Sequence, residues 1–175
     1  NAFPYQLCDD PSKAVRDASP GSGILFLAAG YPLRKTVLAD SIFSMAKRKQ
    51  LRIYIEYPGY ITGIATGDTV IHTQLERGVV TTHQIADLDS LSLLGIHNSL
   101  VVPVKTAHSL IVLGRVAGFD KAVYGLNDVI TCPLLFQKEN VLVASSRLSD
   151  CITGRFDPAG CWQKVWSYIL NWLGP

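Results

Sequence analysis

The sequence predicts an α/β fold in one domain spanning residues 1–175. Two observations carry the prediction: a strand-helix-strand pattern early in the chain, and later β-rich runs followed by a terminal amphipathic helix. "GILFLAAG" (23–30) is a short apolar run closed by glycine, and it leads through "YPLRK" into "TVLADSIFSMAKRKQ". There Leu38, Ile42 and Met45 fall at helical spacing, with Ala39, Phe43 and Ala46 alongside. Lys47, Arg48 and Lys49 occupy the last turn, where cations suit the helix dipole, so the basic triplet reads as a helix end. "LRIYIEYPG" then supplies a β-rich run ended by Pro-Gly, completing a unit whose two strands should lie parallel.

The middle of the chain carries weaker signals. "ITGIATGDTVIHTQLERGVVTT" alternates β-branched and polar residues between glycines, as strands or extended loop, and "IADLDSLSLLG" predicts a short helix. "SLVVPVK" (99–105) and "SLIVLGRVAG" (109–118) read as two strands, the second running into the loop "AGFDKAVYGLND". "CPLLFQKENVLVASS" reads as a hairpin turning at "KEN". In the closing helix Asp157 is the expected N-cap and Pro158 the first helical residue. Trp162, Val165, Trp166, Ile169, Leu170 and Leu173 form one stripe before Gly174.

Composition excludes several classes. With 48% hydrophobic and 17% charged residues, the chain lies far from the disordered class and needs no metal or disulfide framework to build a core. Sixteen Lys and Arg against fourteen Asp and Glu, scattered apart from the triplet, leave no footprint for nucleic acid. No apolar run approaches the roughly 18 residues of a membrane span, and "NAFPYQLCDD" has neither region of a signal peptide. Cys8, Cys132, Cys151 and Cys161 show no CxxC pair or zinc spacing. The four histidines show no HxxxH or HExxH. The first strand-to-helix connection, "AAGYPLRKT", lacks the glycines of a phosphate loop, so no metal or cofactor is expected.

The candidate chemistry begins at "GRFDPAGCW". A cysteine in the first turn of a helix can be a stabilised thiolate, which makes Cys161 a weak candidate nucleophile. A nucleophile elbow, however, sets its Ser or Cys between glycines, and "RFDPA" with Gln163 offers none. With Asp157 as cap, Cys161 and Phe156 occupy the positions of a hydrophobic staple, so a packing role is expected, or a disulfide with Cys151. Ser145 and Ser146 also lack flanking glycines. Ligands of open α/β sheets sit beyond the carboxyl ends of the strands. That rule selects Glu56, Tyr57, Tyr60, Tyr124, Arg155 and Asp157 as ligand-binding candidates, with Glu56 and Asp120 as weak catalytic ones. Aromatic rings beside carboxylates and an arginine suit a sugar, although each residue has a structural alternative in capping, ion pairing or loop packing.

"LERGVV", "RVAGFDKAVYGL", "PLLFQKENVLVASSRLSDCITGRFDP" and "WQKVWSYILNWL" resemble a class I glutamine-amidotransferase-like domain of the kind that accompanies glycosidase modules in large secreted or periplasmic glycan-processing proteins of gut-type bacteria. The resemblance implies a flavodoxin-like fold, a three-layer sandwich with a mostly parallel sheet, together with a periplasmic or secreted setting with a cytoplasmic one still open, and an adjacent glycosidase module as partner. Amidotransferases of this class carry a cysteine elbow and a late His-Glu pair. Here there is no elbow and no histidine after His108, so the implied reading is a domain without that chemistry. The leading expectation is a noncatalytic accessory or ligand-binding domain of bacterial glycan metabolism, with a carbohydrate ligand. The alternatives are a hydrolase of glycosidase or amidase type with a fold-assembled site, and a structural module packing on a neighbouring catalytic domain.

Overall fold

In β2 (Arg52–Glu56), Ile53 and Ile55 point to one face, Tyr54 and Glu56 to the other, and all four are buried, as in a strand covered on both sides. The computed structural model describes residues 4–151, 158 and 160–174. Among them α1 (Pro11–Asp17) precedes β1 (Gly23–Phe26), and α2 (Asp40–Arg48) leads into β2. Then come β3 (Ile71–His72), β4 (Arg77–Val80), β5 (Leu93–Gly95), β6 (Leu100–Val101), β7 (Ile111–Gly114), β8 (Thr131–Lys138) and β9 (Val141–Ala144). A 3-10 turn (Leu148–Asp150) and α3 (Cys161–Leu173) complete the order.

The main sheet has seven strands in the order β1-β2-β9-β8-β7-β4-β5, and β3 pairs with β6 apart from it. Only β1 with β2 and β2 with β9 are parallel. The four other adjacent pairs are antiparallel. The protein is therefore mostly sheet, a mixed half-barrel with three short helices, which corrects the expected three-layer sandwich, its mostly parallel sheet and the flavodoxin-like arrangement implied by the resemblance. The physical reason is connectivity. A parallel neighbour needs a long crossover, usually a helix, and between β2 and α3 the described chain has only the 3-10 turn.

The first strand-helix-strand unit forms as expected, with Gly23 opposite Arg52 and Phe26 opposite Ile55. The basic triplet ends α2: Lys47 pairs with Glu139 at 2.8 Å, and Lys49 Nζ donates to the carbonyls of Val15 and Arg16. The "KEN" hairpin also forms. Glu139 takes a φ of +52°, and Lys138 faces Val141. β8 slips by one residue against β7, which sends Leu134 and Leu135 to the same core cluster.

Three local expectations are corrected. "IADLDSLSLLG" is turns followed by β5, because Leu93 and Leu94 serve clusters on opposite faces of the sheet, an alternation a helix cannot provide. "SLVVPVK" contributes only the two residues of β6 and an isolated bridge at Val104, since Pro103 has no N–H to extend the ladder. α3 begins at Cys161, after Gly160 in a left-handed N-cap conformation at φ +79°, and Pro158 lies outside the helix. Asp157 and Phe156, the expected cap and staple partner, lie outside the described residues. An element without an expectation, α1, has a readable signal in "DDPSK": Asp10 Oδ1 accepts from the N–H of Ser12 and of Lys13.

α3 covers one face through Trp162, Val165, Ile169 and Leu173, packed with Tyr54, Leu94, Leu113, Leu135 and Leu142. α2 covers the other beside β1 and β2 through Ile42 and Ala46, and the 115–126 loop covers it beside β4 and β7. The end of α3 lies against β1. A Cβ on Gly23 would stand 2.6 Å from that of Leu173, so any larger residue there must displace the helix. Among the described residues no helix is long and apolar enough to cross a membrane.

Candidate functional site

The carboxyl ends of the parallel strands converge on Glu56, which is fully buried. Its neighbour Tyr54 leaves β2 on the same face, and their side chains meet: Tyr54 Oη donates to Glu56 Oε1 at 3.0 Å. Ser149 arrives on the 3-10 turn after β9, its N–H donating to Oε1 at 2.7 Å and its hydroxyl to Oε2 at 2.9 Å. The Ala28 N–H, just past β1, donates to Oε2 at 3.2 Å. Four donors thus meet an acceptor-only side chain, two to each oxygen, which is the way a buried carboxylate is stabilised. Glu56 ties the three parallel strands and the 3-10 turn together.

The other predicted residues are dispersed. Tyr57 is 2% exposed with φ +46°, its ring edge-on to Tyr31 at 4.9 Å within the α2-side core. Tyr60 is 46% and Tyr124 87% exposed. Asp120 is exposed in the 115–126 loop, where its carbonyl accepts from the Leu93 N–H. Arg155 and Asp157 lie outside the described residues. Beside Glu56, Ser145 Oγ is buried without a hydrogen-bond partner, and Ser146 Oγ donates to the Leu100 carbonyl. Ala28, Tyr54 and Ser149 were not among the sequence candidates. The Tyr54–Glu56 pairing was readable from strand period, whereas the approach of Ser149, 93 positions away, was not.

All four cysteines are free thiols, so the Cys151–Cys161 disulfide is not formed. Burial pushes the Cys161 thiol up from its ordinary value, helped by Asp120 and opposed by Lys164. Burial, with the nearby Glu56 and Asp150 charges, pushes the Cys151 thiol up to about 12. Tyr54 is raised too, by burial first and then by Glu56. Neither thiol is activated for attack, because nucleophilicity requires the thiolate. In native protein, exposed Cys8 should alkylate first and half-buried Cys132 and Cys151 more slowly, with buried Cys161 labelling at the rate of unfolding. Fast labelling of Cys161 near neutral pH would contradict this.

The same shift has a consequence for stability. Unfolding drops the Cys151 thiol from about 12 to its ordinary 9.0, so its contribution is complete below pH 9 and lost as pH rises toward 12. Above pH 9, unfolding free energy should fall by up to about 1.4 kcal/mol per pH unit from this group alone. Urea unfolding of the parent and of Cys151→Ala across that range measures it. The variant should have the shallower slope.

Fold and site together define a mostly-sheet domain, a mixed half-barrel, with a structurally saturated carboxylate at the carboxyl ends of its parallel strands. Among the described residues no three His, Cys, Asp or Glu side chains gather as a metal-ligand set. No protein-family model, curated protein or solved structure matches the chain.

Proposed function

We propose that this domain is a noncatalytic binding module, acting on a carbohydrate ligand as an accessory to glycan processing. The observation that carries the reading is the engagement of Glu56: both oxygens are filled by donors from the fold, so the one buried carboxylate among the described residues serves architecture. A general acid or base must reach the proton it transfers, and Glu56 faces protein on every side. The raised thiols of Cys151 and Cys161 point the same way.

A second reading, a docking module for a neighbouring domain, is favoured by Phe119, Val123, Tyr124 and Ile130, which are 52–97% exposed in one stretch of chain. Affinity electrophoresis of the intact chain through a panel of neutral and acidic polysaccharides separates the two. Retardation by at least one polysaccharide, without release of reducing ends, is the expected result. Retardation by none favours docking, and sugar release abolished by Glu56→Gln in a folded variant would return the hydrolase.

A further inference from the structure

The face of the main sheet opposite α3 is covered in two places, by α2 beside β1 and β2 and by the 115–126 loop beside β4 and β7. Between them an open groove of about 540 Å³ lies over β7 and β8. That volume is within the range of small-ligand sites. Its apolar floor is Val104, which packs in the α2-side cluster, Val112, which packs in the other, and Pro133 opposite Val112. The slip of β8 against β7 falls at this floor, and irregularities of that kind re-aim side chains beside functional sites. The walls are polar: the 105–109 segment, Thr81 just past β4, and Thr131 at the start of β8.

The lining holds a lysine, a histidine and hydroxyls, and no carboxylate. Among the described residues the side chains of Lys105 and His108 have no ion-pair or hydrogen-bond partner, and the hydroxyls of Ser109 and Thr131 are equally unengaged. Other lysines are occupied: Lys47 by Glu139, Lys121 by Asp89, Lys164 by the Asp87 carbonyl. The polar wall is also tied down at both ends. The Lys105 N–H donates to the Ala65 carbonyl at 3.2 Å, and Thr81 Oγ1 donates to the Ser109 carbonyl. Between those ties the N–H groups of Thr106, Ala107 and His108 donate to no described backbone carbonyl. The groove therefore offers a set of donors whose acceptor the fold does not supply.

We infer that this groove is the ligand site and that it takes the tetrahedral oxyanion of an esterified sugar, a sulfate or a phosphate. The assignment rests on the binding-module reading and deepens it. An ammonium, an imidazole N–H and hydroxyls are separate point donors, able to meet the oxygens of a tetrahedral group from several directions. A planar carboxylate is matched best by the two-pronged edge of an arginine, and the lining has none. With no acidic side chain in the lining, nothing there opposes an anion. The floor of Val104, Val112 and Pro133 suits the C–H groups of the sugar that carries the ester.

The test is NMR titration of the intact chain with glucose 6-sulfate and glucose 6-phosphate, and with glucuronate and unesterified glucose as contrasts. The expected result is a saturable shift of the backbone amides of residues 105–109 and of Thr131 with at least one ester, the tighter of the two naming the source of the oxyanion. Affinity should weaken about tenfold or more in Lys105→Gln, which removes the charged donor, and less in His108→Gln. Both side chains are exposed, so both variants keep the fold, and Lys13→Gln on α1 should bind as the parent does. Saturable binding that Lys105→Gln and His108→Gln leave untouched would overturn this site while sparing the binding-module reading. Glucuronate bound as tightly as the esters would overturn the tetrahedral class, and glucose bound as tightly would overturn the anion. No response to either ester overturns the inference alone where the polysaccharide panel retards the chain, and overturns the reading beneath it where the panel is also negative.

Discussion

Replacing Glu56 with alanine lowers the free energy of unfolding by about 3–5 kcal/mol, because it strands the N–H groups of Ala28 and Ser149 and two hydroxyls in a site without water access. For a chain of this length that is a drop in Tm on the order of 10 °C. Glu56→Gln is the sharper experiment. An amide has one accepting oxygen, and whichever way it is turned its NH₂ meets a backbone N–H, that of Ser149 at one position or of Ala28 at the other. The expected cost is about 2 kcal/mol, from a substitution that changes almost no volume. Urea unfolding measures both variants, and a glutamine variant as stable as the parent would show that the four donors do not require a carboxylate.

Trp162→Ala is expected to cost about 3–5 kcal/mol, as large core truncations do. The indole is 4% exposed, and it joins α3 to the sheet in two ways, by packing and by Nε1 donating to the Gly95 carbonyl at the end of β5. Trp162→Phe separates them. It retains a ring but leaves the carbonyl unpaired, for an expected loss of about 1–2 kcal/mol. Equal losses in the two variants would mean that packing at this position contributes nothing. Guanidinium unfolding of the two side by side decides it.

What the sequence revealed divides by distance along the chain. β1, α2, β2, the β8–β9 hairpin and the body of α3 were legible because each is declared by its own residues: apolar period, basic last turn, hairpin length, tryptophan stripe. The direction in which strands pair is not a local property. "SLIVLGRV" reads the same whether β7 lies parallel or antiparallel to its neighbours, and the early strand-helix-strand unit gave a parallel expectation that four antiparallel pairs overturned. The site divided likewise. Glu56 was selected by its position at a strand end, but its role depends on Ser149 and Ala28, brought to it by the fold. Trp172 near the end of α3 and Gln137 near the end of β8 are joined by a hydrogen bond across the fold. Nothing local announced that the two elements would meet.

β9 lies between β2 and β8, and among the described strands it is both the last in chain order and the one joining the parallel pair to the antiparallel group. During synthesis, every strand of the sheet except this one emerges while the flank of β2 that will receive it is unpaired. Ile53 meets Val141 only after 87 intervening residues have been made. Closure of so long a loop is slow, and it leaves an apolar β edge exposed in the meantime. A nascent chain stalled before Val141 would therefore hold two half-sheets with no shared strand, making the interval before β9 arrives the period of greatest exposure to mispairing with other chains.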